Sequence, residues 1–176
     1  MKWMTRMALM VCLAAAGFAQ TKVGKAAEDL RITDSSGKTW RLSGERGKVV
    51  VMQFLYTTCV HCQATARMLS GLAKELGPKG LRVVGVAFDP GGKVDEFVKT
   101  NAVDFPVGQV KQDDALGYLG ISILERYVVP QIMIVDRRGV VRAQSAVQGT
   151  PELQDPNYLR TFLGGLLKEG VLSSKR

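Results

Sequence analysis

A nearly continuous apolar run over residues 49–56, with Gln53 as its one polar residue, leads into two cysteines: residues 49–62 read VVVMQFLYTTCVHC. A run that is apolar at almost every position is typical of a central strand covered by helices on both faces of a sheet. After the cysteines, apolar residues recur at helical spacing until Gly77 and Pro78 stop the pattern. The segment therefore predicts a buried strand over residues 49–56 and a helix that begins close to Cys59.

The remaining pattern predicts an α/β fold with a mixed sheet. A second buried strand over residues 81–89 completes a parallel strand–helix–strand unit. Residues 131–136 and 140–144 flank a tight turn, which predicts an antiparallel hairpin. The other expected elements are two short strands within residues 32–41, short helices around 94–100 and 114–119, and a closing helix after Asp155-Pro156.

The N-terminal segment has the pattern of a secretory signal peptide. Lys2 and Arg6 precede an apolar stretch over residues 7–18, and Gly17 and Ala19 occupy the positions of an A-x-A-like cleavage site. The apolar stretch is shorter than the roughly 20 residues of a membrane-spanning helix, which disfavours the alternative of an uncleaved anchor. We expect cleavage near Ala19, export to the bacterial periplasm or an equivalent compartment, and only transient membrane contact.

Length and composition favour a single folded domain. Of the 176 residues, 46% are hydrophobic, enough for a core that needs no disulfide or metal. The net charge of +8 comes from scattered basic residues without a long run, so nucleic acid is not an expected partner. We divide the chain into a signal peptide (1–19), a short linker (20–31), the domain (32–170) and a basic tail (171–176).

Cys59 and Cys62 are candidate redox thiols. Once the signal peptide is removed they are the only cysteines left, in an oxidising compartment. The free N–H groups and the positive dipole end at a helix N-terminus stabilise a thiolate, which is the reactive form of cysteine. Cys59 is therefore the expected nucleophile, and Cys62, about one helical turn later, is the expected resolving cysteine.

Other uses of the cysteine pair fit the sequence less well. A structural disulfide across so short a loop removes little chain entropy from the unfolded state. A zinc site lacks further ligands, because His61 is the only histidine and no second CxxC follows. A haem attachment site requires histidine at the position of Gln63. We accordingly predict no metal ligands and no cofactor.

These motifs resemble the thioredoxin-like superfamily, specifically its exported TlpA/ResA and redoxin (AhpC/TSA-type) branch. The resemblance spans about residues 32–167 and is carried by DSSGKTWRLSGERGKVVVMQFLYTTCVHC and YVVPQIMIVDRRGVVR. It implies a thioredoxin-like fold: a central mixed β-sheet flanked by helices, an N-terminal β-hairpin, and a helical insertion between the βαβ and ββα halves. It also implies that Pro130 is cis beside the cysteines and that the Val129 backbone binds an extended substrate segment.

The residue before the second cysteine departs from this branch. TlpA-like members commonly have proline there, whereas His61 is similar to the C-x-H-C of the DsbA and protein disulfide isomerase groups. An imidazole at this place stabilises the thiolate of Cys59 and therefore the reduced form. The resemblance thus implies a couple more oxidising than thioredoxin. A solvent-facing turn histidine without a role is the alternative.

The sequence does not identify the group that accepts the proton released during resolution. Thioredoxin has a buried aspartate at the position of Gln53, and some TlpA-like proteins have glutamate at the position of Thr65. Neither side chain here can serve as that acceptor. Water, His61 or a carboxylate remains, and the candidate carboxylates are Asp89, Asp104 and Glu125.

The leading hypothesis is an exported thiol–disulfide oxidoreductase that acts on protein thiols and disulfides and is recycled by an unidentified redox partner. The first alternative is a redoxin-type thiol peroxidase with antioxidant activity, although such sites have Thr or Ser where this chain has Tyr56. The second is a copper-binding module like the Sco proteins, although these use CxxxC and a distant histidine. The direction of electron flow stays open.

Overall fold

A five-stranded mixed sheet with helices on both faces forms the centre of the computed structural model, which describes residues 22–34 and 36–173. The predicted signal peptide lies outside the described residues, as does the end of the predicted basic tail. The strands described are β1 (Arg31–Thr33), β2 (Thr39–Arg41), β3 (Val49–Leu55), β4 (Leu81–Ala87), β5 (Val107–Gln109), β6 (Gln131–Val135) and β7 (Val141–Gln144). The α-helices described are α1 (Val60–Leu76), α2 (Val94–Thr100), α3 (Gln112–Leu119) and α4 (Pro156–Ser173). Within these residues, no helix is long and apolar enough to cross a membrane.

The strand order of the sheet is β5-β4-β3-β6-β7. The central strand β3 pairs in parallel with β4 and antiparallel with β6. At the two edges, β5 lies parallel to β4 and β7 antiparallel to β6. The β3–α1–β4 unit and the β6–β7 hairpin are therefore those that the sequence predicts, and the thioredoxin-like fold class is confirmed.

Every residue of β3 is buried because its two faces meet two separate hydrophobic clusters. Alternate residues beginning with Val49 pack with apolar residues of α1 and α4. The other set, beginning with Val50, packs with residues of α3 and of the β1–β2 hairpin. This alternation follows from the strand period of two. Because both faces of β3 are packed, the position of its C-terminal end, where the cysteine segment begins, is fixed.

The sequence pattern does not predict β5. Its residues Val107–Gln109 follow a proline and are too few to show an alternating pattern. Gly108 allows the β1–β2 hairpin to approach closely, since an added Cβ would lie 2.8 Å from both Ile32 Cβ and the carbonyl oxygen of Thr33. The inserted segment therefore contains a strand that extends the sheet and seats the hairpin.

The residues before β1 pair with the β6–β7 turn. The N–H groups of Gly24 and Ala27 donate to the carbonyl oxygens of Val141 and Gly139, both at 2.8 Å. Part of the segment that we predicted as a linker is thus attached to the edge of the sheet. The predicted domain boundaries stay predictions.

Arg137 joins three segments at the end of the sheet where β3 begins. Its Nη1 donates to the carbonyl oxygen of Gly47 at 2.6 Å, just before β3. Its Nη2 donates to the carbonyl oxygens of Lys79 at 3.0 Å and Leu167 at 3.1 Å. One guanidinium therefore connects the turn before β3, the turn before β4 and helix α4.

Candidate active site

The two cysteines lie where β3 passes into α1. Cys59 is the N-cap residue of α1 and has extended backbone angles, φ −79° and ψ 118°. Its sulfur accepts a hydrogen bond from the backbone N–H of Cys62 at 3.3 Å. This contact satisfies one of the N–H groups that a helix N-terminus leaves unpaired, and it places the sulfur at the positive end of the helix dipole.

The two thiols differ in exposure. Neither is in a disulfide; Cys59 is partly exposed, whereas Cys62 is 0% exposed. Burial raises the pKa of the Cys62 thiol far above its ordinary value, and its hydrogen bond with Cys59 and the negative charge of Asp89 add to the increase. Cys62 is therefore held protonated, and Cys59 is the sulfur that an incoming molecule meets.

The loop before β6 brings Val129 and Pro130 to the cysteines. The Val129-Pro130 peptide bond is cis. The carbonyl oxygen of Val129 lies 3.8 Å from the sulfur of Cys59, within reach of a thiol hydrogen bond. Residues 70 positions apart in the chain are thus in contact at this site.

His61 lies on the exposed side of the first turn of α1. Its imidazole makes no hydrogen bond with any residue that the structure describes. Any influence of His61 on the thiolate of Cys59 therefore acts through space, where water screens it. The role of thiolate stabiliser stays a prediction.

Two glutamines hold the backbone around the cysteines. Gln53 is fully buried in β3, and its Nε2 donates to the carbonyl oxygen of Cys62 at 2.8 Å. Gln63 Nε2 donates to the carbonyl oxygen of Thr57 at 3.2 Å. The sequence does not indicate this contact, because Gln53 is recognisable there only as the replacement of a carboxylate.

Asp89 anchors the turn that precedes Cys59. Its Oδ2 accepts hydrogen bonds from the backbone N–H of Thr57 at 3.0 Å and from the Thr57 hydroxyl at 2.6 Å. The Thr57 oxygen in turn accepts the backbone N–H of Lys93 at 3.1 Å. The hydroxyl hydrogen of Thr57 is therefore committed to the carboxylate.

The three carboxylates considered as proton acceptors occupy different surroundings. Asp89 is 8% exposed and lies beside the cysteine turn. Asp104 forms a surface ion pair with Lys74 at 3.6 Å. Glu125 accepts the backbone N–H of Ser122 at 3.0 Å within its own loop. Of the three, the structure brings Asp89 to the site.

A tyrosine pair closes another side of the turn. The hydroxyl groups of Tyr56 and Tyr127 are hydrogen-bonded at 2.5 Å, and Gln112 Nε2 donates to Tyr127 Oη at 2.7 Å. The ring of Tyr56 packs edge-on against Phe88, with centroids 4.7 Å apart. Burial raises the pKa of Tyr56 above its ordinary range, and its bond with Tyr127 adds to the increase. These contacts attach the loop that carries Val129 to β3 and α3.

The described part of the chain offers a cleft but no metal cluster. The cleft, about 320 Å³ in volume, adjoins the cysteine turn and is lined by residues that include Thr58, Gln63 and Asp89. No group of three or more His, Cys, Asp or Glu side chains among the described residues is arranged to hold a metal ion. The copper-binding alternative gains no support from this arrangement.

The sequence is similar to a known protein family and to named thiol-disulfide oxidoreductases. The model of the AhpC/TSA family matches residues 23–144. Over 134 residues the chain is 27% identical to thiol-disulfide oxidoreductase ResA of Geobacillus thermodenitrificans, covering 76% of this chain and 73% of that protein. Over 140 residues it is 28% identical to ResA of Bacillus anthracis, covering 79% and 78%.

Solved structures share the fold at low sequence identity. The thioredoxin domain of a thiol-disulfide oxidoreductase from Bacteroides vulgatus has a TM-score of 0.65 and 20% identity, covering 82% of this chain and 99% of that one. Peroxidoxin BcpB from Mycobacterium tuberculosis has a TM-score of 0.67 and 20% identity, covering 85% and 98%. Likeness at this level of identity establishes the fold alone.

Proposed function

The chain belongs to the AhpC/TSA family, and from that premise we propose that it is an exported thiol–disulfide oxidoreductase that uses Cys59 and Cys62 to exchange disulfides with protein thiols. Thiol–disulfide oxidoreduction is the activity for which its ResA relatives are named. The finer parts of the proposal are the assignment of this dithiol as the reacting group and the location of the protein outside the cytoplasm.

The observation that carries the proposal is the unequal burial of two thiols one helical turn apart. The sulfur of Cys59 is partly exposed at the N-terminus of α1, whereas Cys62 is 0% exposed behind it. An exposed thiolate at a helix N-terminus is a nucleophile, and a buried thiol in reach of it is a resolving group. A structural disulfide does not require this division.

The proposed exchange has two steps. In the first, the thiolate of Cys59 attacks a substrate disulfide, forms a mixed disulfide and releases one substrate thiolate. In the second, the sulfur of Cys62 attacks Cys59, so that the Cys59–Cys62 disulfide forms and the second substrate thiolate leaves. An extended substrate segment on the backbone of Val129 would lie next to the reacting sulfur, because the Val129 carbonyl is 3.8 Å from it.

The same steps run in reverse when the oxidised protein meets a reduced substrate. The reduction potential of the pair and its recycling partner decide the direction. Equilibration with glutathione buffers measures that potential. A value near the ~−270 mV of thioredoxin would assign a reductase, and one near the ~−120 mV of DsbA would assign an oxidase.

The peroxidase alternative gains nothing from the geometry of Thr57. A peroxide must receive hydrogen bonds from donors near the reactive sulfur. Of the two threonines before Cys59, Thr58 is exposed, and Thr57 has a buried hydroxyl. That hydroxyl donates to Asp89 at 2.6 Å and accepts from Lys93. We therefore retain disulfide exchange as the proposed function.

Export is supported by the sequence of residues 1–19 and by the chemistry of the pair. An oxidising compartment supplies the disulfides and thiols on which such a dithiol acts. Fractionation of cells that express the full chain, followed by mass spectrometry of the N-terminus, tests this part. We expect a periplasmic protein that begins close to Gln20.

Trapping the mixed disulfide tests the roles of the two cysteines. Cys62→Ser should accumulate a covalent complex with a disulfide-bonded protein such as insulin, because the second step is blocked. Cys59→Ser should form little or none, because the remaining thiol is buried and protonated. Non-reducing electrophoresis and mass spectrometry measure the complex, which dithiothreitol should release. Equal yields from the two variants would contradict the assignment of Cys59 as the nucleophile.

A further inference from the structure

Asp89 carries a buried carboxylate oxygen that no described residue binds. The residue follows β4 and is 8% exposed. Its Oδ2 holds Thr57, but its Oδ1 has no hydrogen-bond partner within the described part of the chain. An unpaired buried oxygen on a carboxylate costs stability, and such groups beside a reactive centre are candidates for proton transfer.

A glycine keeps space beside this oxygen. A Cβ added at Gly92 would lie 2.5 Å from Asp89 Oδ1 and 2.8 Å from Gln109 Oε1. Two acceptor oxygens thus converge on the same side of Gly92. Within the described residues, Asp89 Oδ1 therefore has another acceptor beside it and no donor, so it can take up a proton without losing a hydrogen bond.

Cys62 is the group at the site that must lose a proton. It is fully buried, so bulk water does not reach its sulfur. Burial raises its pKa, and the negative charge of Asp89 adds to that increase. Transfer of the Cys62 proton to the Asp89 carboxylate forms the thiolate without placing two negative charges close together.

We propose that Asp89 accepts the proton of Cys62 in the second step of exchange, a role that rests on the proposed function of the cysteine pair. The proton passes from the Cys62 thiol to the Asp89 carboxylate, and the Cys62 sulfur forms a bond with the sulfur of Cys59. The bond between Cys59 and the substrate sulfur breaks, and its electron pair leaves with the substrate. The substrate sulfur is reduced, Cys62 is oxidised, and the released thiolate takes a proton from water or from the Asp89 carboxyl.

Several other titratable groups lie near Asp89. Tyr56, directly after β3, and Cys62 from α1 interact with its charge. Lys93 and Glu96 line the same cleft and form an ion pair with each other at 3.4 Å. A carboxyl group accepts a proton only in its ionised form, so the second step should become slower in acid.

Asp89→Asn tests this role, because asparagine keeps the size of the side chain and an oxygen that can accept the Thr57 N–H. The reduced protein is mixed with a chromogenic aromatic disulfide, and the release of the first and second aromatic thiolates is followed in a stopped-flow instrument. The first release reports attack by Cys59, and the second reports attack by Cys62. We expect the first rate to stay within about twofold, the second to fall about tenfold or more, and its dependence on pH to disappear.

Two further variants separate proton transfer from support of the turn. Thr57→Val removes the hydroxyl that donates to Asp89 and retains the carboxylate, so the second release should keep its pH dependence. Asp104→Asn removes an exposed carboxylate outside the site and should change neither rate. If Thr57→Val and Asp89→Asn slow both releases alike, Asp89 supports the turn only, and the proposal is wrong.

The outcomes also distinguish this proposal from the proposed function. A second release at the wild-type rate in Asp89→Asn overturns the role of Asp89 and leaves exchange by the cysteine pair intact. No release of thiolate by the wild-type protein overturns the proposed function itself. Should Asp89→Asn fail to fold, the wild-type protein in D₂O supplies the test: we expect only the second release to slow, and equal isotope effects on the two releases refute the proposal.

Discussion

Water reaches the residues of the site unequally. His61 is exposed and Cys59 partly so, whereas Cys62 and Gln53 are fully buried. Interactions of exposed charges are weakened by water and salt, while buried polar groups interact strongly. Substitutions of His61 should therefore have a small effect on the reactivity of the cysteine pair. Substitutions of the buried groups should have a much larger effect.

His61→Ala should lower the reduction potential of the pair by about 30 mV or less, which corresponds to about 1.4 kcal/mol. We expect His61 to stabilise the thiolate of the reduced form, so its removal should favour the oxidised form. The shift should be smaller at high salt, because water and ions screen the charge of an exposed side chain. Glutathione equilibration of both proteins at low and high salt measures it. An identical shift at both salt concentrations would mean that the charge of His61 is not the cause.

Single residues were predictable from the sequence where each carries its own local signal. Cys59 and Cys62 have a characteristic spacing, and Val129-Pro130 lies in a recognisable segment. The Thr57–Asp89 contact has no such signal, since its partners are 32 residues apart and neither type is unusual in a loop. They meet because β3 and β4 run in parallel, which places their C-terminal ends at one edge of the sheet.

The β1–β2 hairpin and β5 are held together by a backbone approach that depends on the absence of a side chain. Gly108→Ala should lower the free energy of unfolding by about 1–3 kcal/mol, because its Cβ would overlap Ile32 and the backbone of Thr33. Urea denaturation measures the change. The matched control is Gly117→Ala in α3, where an added Cβ would meet no other part of the protein within 4 Å. This substitution should raise the free energy of unfolding by about 0.5–1 kcal/mol, because alanine favours the helix over glycine. Equal stabilities of the two variants would contradict the close packing at Gly108.

Long elements were predictable because their period is repeated several times. Helix α1 spans Val60–Leu76 and α4 begins at Pro156, both as the apolar spacing and the flanking residues indicate. Helix α3 begins at Gln112, slightly before the predicted start at residue 114, since its first turn is polar and shows no apolar period. Strand β5 has three residues, and only the neighbouring β4 makes it a strand.

The two ends of the sheet perform different tasks in the whole molecule. The cysteines lie beyond the C-terminal end of β3, and Arg137 lies at its opposite end. A charged donor that binds three carbonyl oxygens from separate segments contributes to the stability of the assembled fold rather than to one element. Stability and reactivity should therefore be separable by mutation.

Arg137→Ala should lower the free energy of unfolding by about 1–3 kcal/mol, because three carbonyl groups from separate segments lose a charged donor. The neighbouring Arg138 has a side chain that is 78% exposed, and Arg138→Ala should change stability by less than about 1 kcal/mol. Denaturant titration compares the two. The rate of mixed-disulfide formation at Cys59 should be unchanged in both folded variants. A slower rate in Arg137→Ala would show that the two ends of the sheet are coupled.

The overall topology was predictable because the order of long elements and the right-handed parallel unit leave few arrangements. The docking of residues 24–27 beside the β6–β7 turn was not, since backbone hydrogen bonds of this kind leave no mark on side-chain type. The hydrogen bond of the Gln53 amide to the backbone of Cys62 was not predictable either, because its acceptor is a backbone carbonyl, which every residue carries.

The complete burial of Cys62 has a kinetic consequence for any client protein. A client can be attached through one sulfur atom only, and the attachment ends when a second sulfur that the client never touches moves within bonding distance. The lifetime of the covalent complex is therefore set by how readily Cys62, in the first turn of α1, reaches the sulfur of Cys59. Clients of very different size and shape should then be held for similar lengths of time.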